Sequence, residues 1–332
     1  MLILTLIVFM FPINTLAYTN SARSSVVMDI NSGRVIYEKN KDQKQLIAST
    51  TKIMTAIVAI ENGNLNKKVK VGEEVLKMYG TNIYIEVGEK IKLKDLIYGL
   101  LLRSGNDASV VIANEIAGSE KEFVELMNKK AKELKMKNTQ FENPHGLDEK
   151  SQNYSTAYDM AILSKYAYKN KIYRKITSTK KYQVTTGKKT YLWYNRNKLL
   201  NNYGPCNGGK NGYTPSAGKT LVTTASKNKL NLTIVSLNDS DSYNNHKELY
   251  EKVFNEYTNY EIVSKENFRI DKSFYNGSVY IKKSFYYPLT NDEVNKIKTI
   301  VSIDSSSNNK KIGLIRIYLD KQNIGNINIY KK

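Results

Sequence analysis

Ser49-Thr50-Thr51-Lys52 stands directly before the apolar run Ile53-Met54-Thr55-Ala56-Ile57-Val58-Ala59-Ile60. A serine and a lysine three apart share one face of a helix. If the run packs inward, both side chains sit at the buried N-terminal end of that helix. Burial disfavours an ammonium and lowers a lysine pKa. A neutral amine can then take the serine proton and leave the oxygen nucleophilic. The free N–H groups of the helix start lie where negative charge would develop. The bare pattern is common, and Ser178/Lys181, Ser216/Lys219, Ser226/Lys229 and Ser307/Lys310 repeat it in polar turns or lysine-crowded stretches. Only Ser49 has a hydrophobic helix behind it. The bland reading of the same segment is a helix cap beside a surface lysine.

Around this segment, 332 residues suffice for two domains. An apolar fraction of 41% with 25% charged residues is ordinary for a globular chain, but a formal charge of +20 is not. Nucleic acid, anionic membrane and anionic wall polymer are the partners such a charge admits. The one cysteine, Cys206, excludes an internal disulfide, and the two histidines, His145 and His246, leave little for a histidine-based metal site. Met1 to Ala17 carries no charged side chain; a short hydrophobic run, Leu2 to Phe11, precedes Pro12 and a small-x-small stretch, Thr15-Leu16-Ala17. This reads as a signal peptide over residues 1–17, with an uncleaved N-terminal anchor as the alternative. Export turns the basic surface away from nucleic acid and toward wall polymers or lipid head groups.

Farther along, Ser25 to Ile30 and Arg34 to Tyr37 flank Asn31-Ser32-Gly33 as a hairpin. Helices are expected from Ser49 to Asn62, Leu93 to Arg103, Ala108 to Ala117, Glu120 to Leu134, Thr156 to Tyr168 and His246 to Tyr257. Leu221 to Ala225 and Leu230 to Ser236 form a second hairpin. Past about Tyr260 apolar and polar residues alternate, which predicts a small all-β domain over 260–332 after a larger domain over 18–259. The closing Ile327 and Ile329 alternate with asparagines, a strand period that argues against an amphipathic anchoring helix at that end.

Three elements carry chemistry in chain order: Ser49-x-x-Lys52, Ser104-Gly105-Asn106 in a break between helices, and Lys210-Asn211-Gly212 at the start of a strand. Ser-x-x-Lys, a Ser-x-Asn element and Lys-Thr-Gly mark β-lactamases and penicillin-binding proteins. The blocks Leu46 to Ala56, Leu101 to Ala108, Asn143 to Leu147 and Gly209 to Gly218 together resemble the low-molecular-mass penicillin-binding proteins, the D-alanyl-D-alanine carboxypeptidases. The resemblance spans about residues 24–257. It implies an α/β fold of β-lactamase/DD-peptidase type, an antiparallel sheet flanked by helices with a helical subdomain, and a small all-β domain after it. It implies Ser49 as nucleophile, Lys52 as base and Ser104 as proton relay to the leaving D-alanine. Asn106 would hold the substrate peptide and Lys52. The backbone N–H groups of Ser49 and Tyr213 would form the oxyanion hole. Lys210, Asn211 and Gly212 would line the site for the terminal carboxylate, with the strand at Lys210 pairing to extended substrate. No metal and no cofactor is implied; the partners are a peptidoglycan stem peptide and β-lactam antibiotics. His145 reads as a structural landmark.

Two positions depart from the resemblance. Asn211 stands where the family has Thr or Ser, so the carboxylate pocket is expected to be altered but working. His246 stands, by spacing, near where relatives carry an arginine, so substrate affinity is expected to weaken as pH rises through about 6–7. Three rivals stay open: a β-lactamase, against which no Glu-x-x-Leu-Asn block occurs between Asn106 and Lys210; a triad hydrolase, against which there is no Gly-x-Ser-x-Gly; and a catalytically weak or inactive homologue that binds cell wall. A secreted, wall-associated protein fits the leader and the charge.

Overall fold

Short runs rich in β-branched and apolar residues on both sides of Asn31-Ser32-Gly33 form β1 (Ser24–Asp29), buried at every position, and β2 (Val35–Lys39), with Gly33 in the left-handed region at φ +83. Asp29 Oδ1 accepts from the Ser32 N–H at 2.7 Å and from its hydroxyl at 2.6 Å, which tightens the turn. The computed structural model describes residues 20–272, 275–304 and 309–332, so the expected signal peptide lies outside the described residues.

The hairpin joins β3 (Cys206–Thr214), β4 (Gly218–Lys227) and β5 (Leu230–Leu237) in an antiparallel sheet ordered β2-β1-β5-β4-β3. Side chains alternate across it. Val26, Met28, Val222 and Val235 enter a core shared with helices on one face. Val27, Ala225, Leu232 and Ile234 enter a second core against Leu249, Tyr250, Val253 and Phe254 of the Ser242–Glu256 helix on the other.

On the first face α1 (Lys52–Asn62) is buried at every position through Ile60, which is why its sequence is apolar all round rather than striped. The sequence pattern runs α2 (Leu93–Tyr98) on to Arg103; instead its last turn widens into a π-turn over Gly99–Arg103 that Ser104 ends at φ +68. α3 (Asn106–Ala117) therefore begins on Asn106, two residues before the expected start. α4 (Glu120–Glu133) and α5 (Ala157–Lys169) follow, capped by the Ser119 and Thr156 side chains. Lys210, Asn211 and Gly212 sit inside β3, not at its start, and β3 is the edge of the sheet.

The strand Thr258–Val263 straddles the expected 259/260 boundary and pairs with Phe285–Leu289. Beside it, Val279–Ile281, Gln322–Lys331, Lys311–Leu319 and Ile297–Ile303 form a four-stranded sheet in that order, over a core of Ile281, Ile315, Ile317, Ile327 and Ile329. The C-terminal alternation is thus a strand, as the period of two predicts. One helical turn, Asn291–Val294, with a Thr290/Glu293 capping box, interrupts the all-β pattern.

His246 corrects the sequence reading. It is fully buried in the second core, with Nδ1 2.7 Å from Thr223 Oγ1 and Nε2 3.0 Å from Ser236 Oγ. Thr223 faces away from Val222, so His246 lies behind the sheet from the Lys52 side and has no open face for a substrate carboxylate. Burial holds its pKa down at about 3, so it stays neutral where the sequence reading made it a cation. Between about pH 6.5 and 3 the unfolded chain takes up a proton that folded His246 refuses, so stability falls as pH falls through that window. The slope from this group reaches at most about 1.4 kcal/mol per pH unit. Urea midpoints from pH 7 to 4 should drop less steeply for His246→Gln than for the unaltered chain; parallel curves would refute the assignment.

Candidate active site

Ser49 lies in a short 3₁₀ turn, Ala48–Thr51, that runs straight into α1, so Lys52 is the first α-helical residue. The turn brings Lys52 Nζ to 3.0 Å from Ser49 Oγ. Nζ also donates to Asn106 Oδ1 at 2.7 Å and to the His145 carbonyl at 2.6 Å. Asn106 cannot be flipped, because its Nδ2 donates to the Tyr79 carbonyl at 2.7 Å, leaving Oδ1 for the lysine. Lys52 is wholly buried; desolvation, with the Lys210 charge second, holds its pKa well below the usual lysine value.

Two glycines let separate segments close on Ser49. Gly146 has φ +85, and a Cβ there would stand 2.0 Å from the Ala48 carbonyl oxygen. A Cβ on Gly212 would stand 2.8 Å from the Ser49 amide nitrogen and 2.6 Å from Thr220 Oγ1. Thr220 Oγ1 in turn donates to the Ile47 carbonyl at 3.1 Å, tying β4 to the strand of chain that enters the nucleophile turn. The Asn143 side chain shapes the Gly146 turn by accepting from the amides of His145 at 3.2 Å and Gly146 at 2.6 Å.

Lys210 is buried beside this group, and its Nζ donates to the Asn211 carbonyl at 2.5 Å with Asn211 Oδ1 3.5 Å away. Burial, aided by the Arg196 charge, lowers its pKa to about 7. Ser104 is nearly buried in its left-handed turn, two residues from Asn106 on the same rim. Tyr213, the residue after Gly212 in β3, is 65% exposed. The structure joins Ser49, Lys52 and Asn106 by hydrogen bonds, sets Gly212 against the Ser49 amide and Lys210 near enough for its charge to act on Lys52, carries Asn211 and Tyr213 on the same strand and Ser104 two residues before Asn106, and leaves out His246.

Sequence reasoning missed three contributors. Arg196 follows the hairpin over Lys181–Thr185 and Thr190–Tyr194; its charge depresses both Lys52 and Lys210, and it donates to Thr81 Oγ1 at 3.2 Å. Nothing in Tyr194-Asn195-Arg196-Asn197 marks it in the sequence. His145 acts through its carbonyl, which no side-chain pattern reveals, while burial holds its ring pKa down at about 3. Asp107, next to Asn106, accepts from the amides of Ile83 at 3.0 Å, Tyr84 at 2.7 Å and Ile85 at 3.3 Å. That clamp holds Tyr84 at φ +62, with the residue 71% exposed. Among the described residues no group of three or more His, Cys, Asp or Glu is placed to hold a metal ion.

An arrangement of buried amine, hydroxyl, amide and second lysine at a sheet edge suits acyl transfer through a serine ester. Comparison with known proteins agrees in kind. The D-alanyl-D-alanine carboxypeptidase DacF of Bacillus subtilis is 41% identical over 218 residues, covering 64% of this chain and 56% of the relative, so the chain spans about half of that protein's length. Penicillin binding protein 5 of Haemophilus influenzae superposes with a TM-score of 0.77 at 26% identity, over 94% of this chain and 97% of that one. Penicillin binding protein 6B of Escherichia coli gives 0.75 at 26% identity, over 96% and 97%. Residues 13–241 match the D-alanyl-D-alanine carboxypeptidase family as a whole, and the chain belongs to that family.

Proposed function

We propose that this protein is a serine-type D-Ala-D-Ala carboxypeptidase that trims the terminal D-alanine from peptidoglycan stem peptides and is acylated by β-lactams. The single observation that carries the reading is the Lys52 amine, buried and 3.0 Å from Ser49 Oγ with two other oxygens already bound to it. Ser49 Oγ attacks the penultimate D-Ala carbonyl carbon while Lys52 takes its proton. The N–H groups of Ser49 and Tyr213 hold the oxyanion, where losing one donor costs about 2.7–4 kcal/mol. As the C–N bond breaks, the proton passes through Ser104 to the leaving amine. Water then attacks the ester, gives its proton to Lys52, and Ser49 recovers its hydrogen. Lys210, with Arg196 and the Asn211 amide near it, draws the terminal carboxylate, and the free side of β3 pairs with the extended peptide. Residues 1–17 would export the chain to the wall, where its positive charge also suits anionic polymers. No helix among the described residues is long and apolar enough to cross a membrane.

Incubation with a penicillin should add one penicilloyl mass to the intact protein, and Ser49→Ala should add none; an unmodified parent chain would end this reading. Asn211→Thr should change kcat/KM on a D-Ala-D-Ala peptide severalfold while leaving the fold intact, and no change would mean that the amide does not reach substrate.

The two lysines define a pH window. Lys52 must be neutral to act as base, so activity falls on the acid side as it takes a proton. Lys210 must be charged to hold a carboxylate, so kcat/KM falls as pH rises through about 7 in the free protein. Arginine keeps its charge up to about pH 12. Lys210→Arg should therefore move the alkaline limb of the kcat/KM profile upward by about one unit or more. An unmoved limb would show that another group sets it.

A further inference from the structure

A cavity of about 890 Å³ opens where the two halves of the chain meet, and its walls include none of the active-site residues named above. One wall is the tip of the β1–β2 hairpin, and the turn after α4 stands beside it at Lys135 to Asn138. Another wall is the start of the last strand, Gln322 to Ile324. Neither half of the chain makes the groove alone.

The groove is preformed. At its corner Arg34 forms a two-pronged pair with Glu293, at 2.5 and 3.0 Å, and donates to the Pro288 carbonyl at 2.5 Å. The guanidinium also stands 5.3 Å from the ring centres of both Tyr257 and Tyr287. Across the groove the Asp159 carboxylate accepts from the Asn138 amide and the Thr139 hydroxyl, each at 2.8 Å, which fixes that turn.

The lining selects a ligand class. Three carboxamides, Asn138, Gln322 and Asn323, offer donors and acceptors together. Such groups match hydroxyls and acetamides rather than a single charge. Half-buried Tyr158, Ile162 and Ile324 add apolar surface to the lining, which the C–H faces of sugar rings can pack against. The charges do not make an unbroken basic wall: Arg34 is matched by Glu293, Lys41 by Glu38, and Asp42 stands in the lining with Lys135 and Lys137. A polyphosphate chain would meet that carboxylate. Clefts at domain junctions of about 300–1,000 Å³ are ordinary ligand sites.

We infer that this groove binds a strand of N-acetylated sugars, apart from the catalytic cleft. The inference rests on the proposed function for its biological substrate, since stem peptides hang from such strands and gripping the strand raises the local concentration of peptide.

The test uses the full chain and chitohexaose as the probe. Titration calorimetry should show binding, and Gln322→Ala/Asn323→Ala should weaken it by about tenfold. A second variant, Gln322→Trp, fills the groove and should do the same. Release of D-alanine from glycan-linked stem peptides should fall by about fivefold in both, while release from a free acyl-D-Ala-D-Ala peptide stays unchanged. Penicillin labelling of Ser49 at the parent rate would report an intact fold. No chitohexaose binding by the parent chain, equal binding by both variants, or preferential binding of synthetic poly(glycerol phosphate) in the groove would overturn the inference. If the carboxypeptidase reading alone failed, penicillin labelling and D-alanine release would vanish and the chitohexaose titration would still decide the groove.

Discussion

The hydrogen-bond arithmetic at Lys52 Nζ governs the rest of the site. A neutral amine has two N–H donors and one lone pair. Two of the oxygens around Nζ, Asn106 Oδ1 and the His145 carbonyl, can only accept. They consume both N–H groups, at 2.7 and 2.6 Å, and leave the lone pair for the third neighbour, the Ser49 hydroxyl at 3.0 Å. Once the lysine is neutral, the surrounding acceptors orient it as a base. Each acceptor is then fixed from behind: Asn106 by the Tyr79 carbonyl, and the His145 backbone by the Asn143 side chain.

That orientation is bought with electrostatic strain. Lys52 and Lys210 are buried together, and Arg196 adds its charge to both. Asp107 pulls the Lys52 pKa the other way, less than burial and the Lys210 charge do but more than Arg196 does, while its carboxylate is bonded to the 83–85 backbone. Lys210 and Arg196, with no ion pair to a carboxylate among the described residues, leave positive charge uncompensated beside the neutral Lys52, which costs the resting protein stability. Under the proposed function that charge would become favourable when a peptide brings its terminal carboxylate to it. On that reading stability would be given up in the empty state for affinity in the filled one.

The nucleophile segment is legible in the sequence because α1 is buried all round, and a helix that is apolar on every face has to be buried on every face. The helix periods and the C-terminal alternation are readable because burial on one face leaves a period in the residues, whereas the hairpin strands β1 and β5, buried on both faces, are readable as apolar runs bounded by turn residues. What the period cannot show is anything carried by backbone. The π-turn that sets Ser104 at φ +68 comes from a run, Gly99 to Arg103, that reads as plain helix. The His145 carbonyl has no side-chain signature. The reading of His246 failed because spacing along a helix does not say which side of the sheet the helix packs on. Thr223 and Ser236 accommodate its ring in a place where an arginine would be an unpaired buried charge.

Strand register is the constraint that joins fold to chemistry. In a strand a slip of one residue sends every side chain to the opposite face. If β3 slipped by one against β4, Asn211 or Tyr213 would take the place of Gly212 against the Ser49 amide, where a Cβ would stand 2.8 Å away. Lys210 would turn toward the core behind the sheet. The register is held by pairs from Cys206 to Thr214, with Gly212 opposite Thr220 and Lys210 opposite Val222. Thr220 bonds to the Ile47 carbonyl and Val222 sits in the helical core, so the pairing that aligns the edge strand also seats the nucleophile turn. Substrate pairing to the free side of β3 would inherit that register, and through it the scissile carbonyl would inherit its position over Ser49.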